Sequence, residues 1–305
     1  MSRRNLSVLK VRFIDFWPGA KNSIESFFLP LVQSASPLEV VESQLEETAH
    51  ITISSVFPSK THGSKRLLRS RRLNREKSPI EIWYSGENIR SPFTGYDFTW
   101  SFDLSAYRSS NFYLPVWFLD LDVFNKTTNP NLGFSLHSED LMNSRTISEI
   151  PPGFACIIAN NPHPYRLRAI EALSSIGAID VFGHLGNRTL KHKSEIRNKY
   201  RYCISFENDF FPGYVTEKVF HAWSIGSIPI YWGSDPVNFI NEEAVVDLSS
   251  QADFNGLCDK IRFIEADVNR WATIASKPIL LKPPSLFEII ENLKTRISQV
   301  FLESS

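Results

Sequence analysis

The stretch YCISFENDFFPGYVTEKVF, residues 202–220, decides the fold class of this sequence. It opens with a short apolar run that is typical of a buried strand, and a polar loop with Pro212 and Gly213 follows. The residues after Gly213 carry apolar side chains at helical spacing, so the stretch predicts a strand, a loop and a helix in succession. A strand that leads into a helix is the repeating unit of α/β proteins.

The same alternation extends in both directions from this stretch and predicts an α/β fold. In the first half, strands are predicted over residues 9–16, 38–41, 50–54, 80–84, 96–102 and 112–119, with a helix that ends at Val32. In the second half, strands are predicted over residues 154–159, 178–182, 202–206, 227–232 and 244–248, and helices over 165–176, 193–200 and 214–224. Two such sets indicate two Rossmann-like domains, residues 1–150 and 151–305, and the irregular helix lengths before residue 130 fit a TIM barrel poorly. The last segment, residues 286–301, predicts an amphipathic helix that packs on a core.

Composition narrows the class of protein. The chain has 305 residues, of which 42% are hydrophobic and 22% charged, and these shares are typical of a globular protein. Lys and Arg number 33, as do Asp and Glu, so a globally basic nucleic-acid-binding protein is excluded. The three cysteines, Cys156, Cys203 and Cys258, form no C-x-x-C pair, and we expect buried thiols in a reducing compartment.

Charge and hydropathy patterns indicate a cytoplasmic protein. No stretch reaches the ~18 consecutive apolar residues of a membrane span, and the N-terminal residues lack the apolar core of a signal peptide. Residues 60–77 carry eight basic side chains against Glu76 alone, a local charge of +7. This basic tract predicts either a solvated surface or peripheral contact with an anionic lipid surface or glycolipid, whereas nucleic acid is not expected because no aromatic residues interleave it. Its basic members are Lys60, Lys65, Arg66, Arg69, Arg71, Arg72, Arg75 and Lys77.

The loop and helix start after residue 206 are the first candidate for a functional site. In open α/β sheets, ligands bind outside the carboxyl ends of the strands, where the amides of helix N-termini favour anionic groups. Lys218 lies in the first turn of the predicted helix, where a cation opposes the helix dipole. Its position therefore indicates an anionic partner such as a phosphate, and the alternative is a surface lysine paired with Glu217 or another neighbour.

Four motifs in register resemble the alpha-1,3/4-fucosyltransferase family, and its bacterial members in particular. The first comprises FEN at residues 206–208 and GYVTEK at 213–218, and the second is SIPIYWGS at 227–234. The third is YSGEN at residues 84–88, followed by YDF at 96–98 and SFD at 101–103. The fourth is NP at 161–162 with PYR at 164–166 and EAL at 171–173. Together they cover about residues 80–120 and 155–240.

The resemblance implies a GT-B fold, with two facing Rossmann-like domains and a cleft between them. It implies inverting transfer of L-fucose from GDP-fucose to a hydroxyl of N-acetylglucosamine or glucose in a glycan or glycolipid, as in lipopolysaccharide synthesis or protein glycosylation. Inversion by direct displacement needs a base for the acceptor hydroxyl, and a positioned carboxylate contributes about 10²–10⁴-fold. Glu87 matches the family's base, and the alternative is a turn carboxylate that binds local amides.

The resemblance also implies the residues that bind GDP-fucose. Arg166 and Lys218 match the two cations at the diphosphate, and Tyr214 and Glu217 match positions that hold the ribose or the donor sugar. Asn208 is expected to support the same loop, through a donor-sugar contact or a backbone bond. A rival interpretation is an inverting GT-B transferase that uses another nucleotide sugar, and a rival of another class is a catalytically silent nucleotide- or glycan-binding module.

A metal is not expected to be required. Asp120-Leu121-Asp122 is a D-x-D, through which metal-dependent GT-A transferases hold manganese on a nucleotide sugar. The pattern is common by chance, and cationic side chains can replace a metal at the diphosphate. We therefore expect no metal ligands here and, at most, stimulation by Mn²⁺ or Mg²⁺.

Overall fold

Two parallel β-sheets organise the part of the chain that the computed structural model describes, namely residues 6–45, 48–57, 79–92, 95–104, 110–125, 129–248 and 251–302. The first sheet contains β1 (Val8–Ile14), β2 (Glu39–Glu42), β3 (Ile51–Ser54), β4 (Ile80–Ser85), β5 (Phe98–Ser101) and β6 (Asn111–Tyr113), in the order β2-β1-β3-β4-β5-β6. The second contains β7 (Gly153–Ile158), β8 (Ile179–Phe182), β9 (Tyr200–Phe206), β10 (Ile228–Trp232) and β11 (Val246–Asp247), in the order β11-β10-β9-β7-β8. The α/β fold class predicted from the sequence is confirmed.

Helices connect the strands of both sheets. In the described ranges they are α1 (Lys21–Ser23) and α2 (Leu29–Ser34), joined by the π-helical turn Ile24–Phe28, then α3 (Ser138–Met142), α4 (Pro164–Leu173), α5 (Lys218–Ser224), α6 (Phe254–Glu265), α7 (Val268–Ser276) and α8 (Phe287–Ile297). Short 3₁₀ turns lie at Val116–Asp120, His184–Gly186, Lys193–Ile196 and Glu242–Ala244, and a π-helical turn at Ser298–Leu302 follows α8. The predicted amphipathic C-terminal helix is confirmed, because α8 buries Ile289, Leu293 and Ile297.

The chain divides into two compact units. Unit 1 comprises Met1–Leu119, Phe124–Lys126 and Ser285–Ser305, and unit 2 comprises Asp120–Val123 and Thr127–Pro284. This division differs from the predicted boundary at residue 150. The C-terminal segment belongs to unit 1, where Arg296 Nη2 lies 2.9 Å from Asp97 Oδ1. The residues just before 150 belong to unit 2, where Arg145 Nη2 donates to the Ser227 carbonyl at 2.9 Å.

The core of unit 2 forms on both faces of its sheet. The central strand β9 is buried at every residue except Arg201, and its neighbours contribute Ile157 and Ile230 to the same core. Continuous apolar runs of this kind are typical of parallel strands with both faces covered. The three cysteines are buried and free, as predicted, and Cys156 and Cys203 are register partners on β7 and β9.

Two predicted helices differ from the structure, for local reasons. The helix predicted over residues 193–200 is wrong, because the 3₁₀ turn ends at Ile196, Arg197 is extended at ψ 131° and Asn198 adopts a left-handed φ of 57°. The helix predicted from residue 214 begins only at Lys218. The chain before it is held by a carboxylate instead, since Thr216 N donates to Glu207 Oε1 at 2.7 Å.

Two predicted strands are shorter in the structure. The strand predicted over residues 112–119 ends at Tyr113, because Pro115 cannot donate to the ladder and a 3₁₀ turn begins at Val116. The strand predicted over residues 244–248 is reduced to β11, which has two residues.

Candidate functional site

Strand order in unit 2 places the candidate site. From β7 the chain passes to β8 on one side of it, and then to β9 on the other side. The direction of the strand order therefore reverses between β7 and β9. In open parallel sheets such a switch point opens a crevice at the carboxyl ends of the strands, where ligands bind. Helix α4 begins just after β7, and Glu207 and Asn208 follow β9, so both segments flank this point.

Arg166 crosses the switch point from the first turn of α4. Its Nη2 donates to the Phe206 carbonyl at 2.9 Å and to Asn208 Oδ1 at 2.7 Å, and its Nη1 donates to the Asn161 carbonyl at 3.3 Å. None of these three acceptors carries a full charge. Arg166 is only 4% exposed, and this burial lowers its pKa, although Glu207 and Tyr214 act in the opposite direction. The guanidinium is therefore fixed at the strand ends and suited to an anionic ligand.

Asn208 and Tyr214 extend the same hydrogen-bonded line. Asn208 accepts from Arg166 through Oδ1 and donates from Nδ2 to the Tyr214 hydroxyl at 3.4 Å. Tyr214 is buried, and the preceding Gly213 has a left-handed φ of 86° that turns the chain back toward β9. The structure thus brings together three of the five residues predicted to bind GDP-fucose.

Glu207, to which the sequence analysis assigned no role, organises the rest of the site. Its carboxylate is fully buried and accepts three hydrogen bonds: from Thr216 N and Thr216 Oγ1, both at 2.7 Å, and from Lys218 Nζ at 2.9 Å. A Cβ at Gly233 would lie 2.9 Å from Glu207 Cγ, so the residue after β10 must be small. A carboxylate directly after a buried strand, followed by a Thr-x-Lys sequence, is the signal that could have identified it.

Lys218 is the first residue of α5, and two polar side chains bind its ammonium group. Lys218 Nζ lies 2.9 Å from both Glu207 Oε2 and Thr216 Oγ1, while a quarter of its side chain remains exposed. Lys218 therefore forms its ion pair with the buried Glu207, and its charge also acts on Glu217.

Glu217 lies beside these groups as the residue before α5. Burial acts to raise its pKa, but the positive charges of Lys218 and Lys193 outweigh burial and lower that pKa to about 2. Glu217 is therefore an ionised acceptor at neutral pH, suited to the hydroxyl groups of a sugar.

Glu87 belongs to unit 1 and is described there by itself. It is an exposed residue on the turn after β4, and this turn is closed by hydrogen bonds between Ser85 Oγ and the backbone of Glu87, at 2.9 Å to the carbonyl and 3.2 Å from the amide. The backbone amide is thus bonded to Ser85, and Glu87 is an exposed residue on a turn that Ser85 closes. Gly86 is required here, because a Cβ would lie 2.8 Å from the Tyr84 hydroxyl.

Asp120, the first aspartate of the D-x-D sequence, lies next to the imidazole of His221. Asp120 Oδ2 lies 3.0 Å from His221 Nε2, and among the residues that the structure describes no group of three or more His, Cys, Asp or Glu side chains could hold a metal ion.

The basic tract of residues 60–77 lies outside the described residues. In the described ranges, no helix combines the length and the apolar character needed to cross a membrane.

Sequence comparisons relate the chain to fucosyltransferases. Residues 154–274 match the family model described as glycosyltransferase family 10 (fucosyltransferase) C-term. The chain is 28% identical over 218 residues to the alpha-(1,3)-fucosyltransferase FucT of Helicobacter pylori, which covers 62% of this chain and 45% of that protein. It is 23% identical over 202 residues to the Homo sapiens 4-galactosyl-N-acetylglucosaminide 3-alpha-L-fucosyltransferase 9, which covers 63% and 51% respectively. The chain spans about half the length of these relatives.

Solved structures show the same fold over the whole chain. A crystal structure of an alpha1,3-fucosyltransferase matches with a TM-score of 0.72 and 21% identity, covering 100% of this chain and 93% of that one. A crystal structure of alpha1,3-fucosyltransferase with GDP-fucose matches with a TM-score of 0.66 and 19% identity, covering 100% and 94%. The two α/β domains that the motif resemblance implied are therefore confirmed, and the matching structures share this fold. The segment that matches the family model, residues 154–274, contains the switch-point cluster, and the model describes the fucosyltransferase family that the sequence motifs resemble.

Proposed function

We propose that this protein is an inverting alpha-1,3-fucosyltransferase that moves L-fucose from GDP-fucose to a hydroxyl of an N-acetylglucosamine or glucose unit in a glycan or glycolipid. The observation that carries the proposal is the cluster of Arg166, Asn208, Tyr214, Glu207 and Lys218 at the β7–β9 switch point. The cluster lies inside the segment that matches the fucosyltransferase family.

The diphosphate of the donor is the group that this cluster suits best. Arg166 supplies a planar fork of donors, and Lys218 supplies a compact charge that is partly exposed. As the bond from fucose to the diphosphate breaks, negative charge grows on the leaving GDP, and two fixed cations stabilise it. Because Glu207 and Asn208 hold both cations in place beforehand, little reorganisation is needed during the reaction.

The sugar and ribose hydroxyls are assigned to the neighbouring acceptors. Glu217 is ionised and Tyr214 carries a hydroxyl at the same edge of the sheet, so both can bind hydroxyl groups of the ribose or the fucose. Asn208 acts through its bonds to Arg166 and Tyr214, and this supports the loop role expected for it.

Glu87 is proposed as the base that removes the proton of the acceptor hydroxyl. Glu87 is an exposed residue on a turn fixed by Ser85, and a positioned carboxylate can take the proton of an acceptor hydroxyl. No metal is assigned a role, because Arg166 and Lys218 supply positive charge at the diphosphate. Membrane contact through the basic tract stays a proposal that the described residues do not address.

A transfer assay tests the proposed function. Wild-type protein with GDP-fucose and an N-acetyllactosamine acceptor should release GDP and yield an α-linked fucoside, as read from the anomeric coupling in the proton NMR spectrum. The variant Glu87→Ala should lose turnover by about 10²–10⁴-fold while it keeps the affinity for GDP. Turnover with GDP-mannose or a UDP-sugar but not with GDP-fucose would overturn the donor assignment, and near-normal turnover of Glu87→Ala would remove it as the base.

A further inference from the structure

A line of three polar side chains lies behind the candidate donor site in unit 2. Lys193 Nζ lies 2.6 Å from His221 Nδ1, and His221 Nε2 lies 3.0 Å from Asp120 Oδ2. The three residues come from separate segments: the 3₁₀ turn Val116–Asp120, the 3₁₀ turn Lys193–Ile196 and helix α5. The side chain of His221 is 1% exposed and that of Asp120 is 19% exposed, so most of this line is shielded from water.

The chemistry of the three groups fixes the imidazole tautomer. A lysine ammonium group only donates, so His221 Nδ1 must accept and the ring proton must lie on Nε2. Nε2 lies 3.0 Å from Asp120 Oδ2, but its N–H is not aligned with that oxygen, so the contact between the ring and the carboxylate is electrostatic. Burial lowers the pKa of His221 and the charge of Lys193 lowers it further, although Asp120 and Glu217 act in the opposite direction. The neutral imidazole therefore bridges a cation and an anion.

The line connects directly to the residues proposed to bind GDP-fucose. His221 lies one helical turn after Glu217, and His221 N donates to the Glu217 carbonyl at 2.9 Å. Lys193 also acts on the Glu217 carboxylate, since its charge helps to keep that group ionised. Any shift of His221 would move the first turn of α5, and with it Glu217 and Lys218.

We infer that Lys193, His221 and Asp120 are positioning residues, which hold Glu217 and Lys218 in the orientation that a nucleoside diphosphate sugar requires. This inference rests on the proposed function. The inference also gives Asp120 of the D-x-D sequence a role that needs no metal, because its carboxylate contacts the His221 ring. Buried ionic contacts seldom stabilise a fold more than apolar packing does. Fold stability alone therefore does not account for these three residues, and a positioning role does.

Two matched pairs of variants test the inference by calorimetric titration with GDP. Asp120→Asn and Lys193→Met should each weaken GDP binding on the order of tenfold, about 1.4 kcal/mol. Asp122→Asn, two residues from Asp120, and Lys191→Met, two residues from Lys193, should remain within about twofold of wild type. Lys193→Arg should recover part of the affinity, because it restores a donor toward His221 Nδ1.

Kinetics separate positioning from loss of fold. In Asp120→Asn and Lys193→Met, KM for GDP-fucose should rise while KM for the acceptor stays near the wild-type value. GDP affinity and KM for GDP-fucose that are both unchanged in these variants would overturn the inference, even if the thermal midpoint falls. Equal losses in Asp120→Asn and Asp122→Asn, together with GDP binding by the wild type that depends on Mn²⁺, would overturn the inference in favour of the metal interpretation. A wild-type protein that binds no GDP would refute the proposed function itself.

Discussion

The substitution Glu207→Gln tests how the site is held together, because Glu207 is a fully buried carboxylate at its centre. The variant keeps the shape of the side chain and one oxygen for the bond from Thr216 N. Its amide group, however, would place a donor against Lys218 Nζ, which only donates. The hydrogen bond to Lys218 is therefore lost while the packing is preserved. Thr216 Oγ1, which donates to the same carboxylate oxygen in the wild type, must turn to accept from the amide instead.

Most of the expected cost follows from the lost contact with Lys218. A hydrogen bond to a charged group contributes about 1.5–3 kcal/mol, and Lys218, a quarter exposed, can turn toward solvent and recover part of its hydration. For a domain of the size of unit 2, each kcal/mol lowers the thermal midpoint by about 2–4 °C, so the variant should unfold roughly 3–12 °C lower. The affinity for GDP should fall as well, because Lys218 is no longer held at the strand ends.

Thermal unfolding followed by circular dichroism measures the first effect, and calorimetric titration with GDP measures the second. The matched control is Asp259→Asn, which removes an exposed i,i+3 pair with Arg262 on α6 and should change stability by less than about 0.5 kcal/mol. A thermal midpoint and a GDP affinity that are both unchanged in Glu207→Gln would refute the reasoning.

Three further predictions concern stability, pH and metal. Arg145→Met should lower the free energy of unfolding by about 2–4 kcal/mol, because Arg145 donates to the carbonyls of Trp223, Ala275 and Ser227. Denaturant unfolding measures this loss, with Arg262→Met as the exposed control. Equal stability of the two variants would contradict a contribution from these bonds. The pKa of Glu217 is lowered to about 2, so its ionised form stabilises the fold at neutral pH and this contribution is lost as pH falls from about 5 to 2. Glu217→Gln should therefore show a flatter fall of stability over that range, and an acid titration with the wild-type slope would contradict the assignment. Treatment with EDTA should leave fucose transfer largely intact, and a complete loss that manganese restores would contradict the metal-free account.

The sequence predicted the part of the fold that depends on local periodicity. The apolar run over residues 202–206 could hardly be anything but a buried strand, and β9 contains it whole. The spacing of apolar residues predicted helices wrongly where local side-chain hydrogen bonds or a left-handed residue interrupt the helical backbone. Thr216 binds Glu207 rather than joining a helix, and Asn198 ends a turn by adopting a left-handed conformation.

The sequence identified those site residues that lie in motifs at the carboxyl ends of the strands. Arg166 and Asn208 are far apart in sequence, and the family resemblance assigned both to the GDP-fucose site. The structure shows a hydrogen bond between them that the resemblance did not specify. Glu207 lies in the FEN motif directly after a buried strand, but the sequence analysis gave it no role of its own. His221 was missed because an imidazole inside an apolar helix carries no spacing signal. Their roles depend on contacts across the sheet and between turns that only the folded chain reveals.

Calorimetric titration of GDP into the wild-type protein and into Lys218→Met tests the central claim most directly, with Lys260→Met as a control on the exposed side of α6. The account places a nucleoside diphosphate at the β7–β9 switch point, against Arg166 and Lys218. It predicts that the wild type and the control bind GDP alike and that Lys218→Met binds it on the order of tenfold more weakly. Equal affinity in all three proteins would contradict the claim.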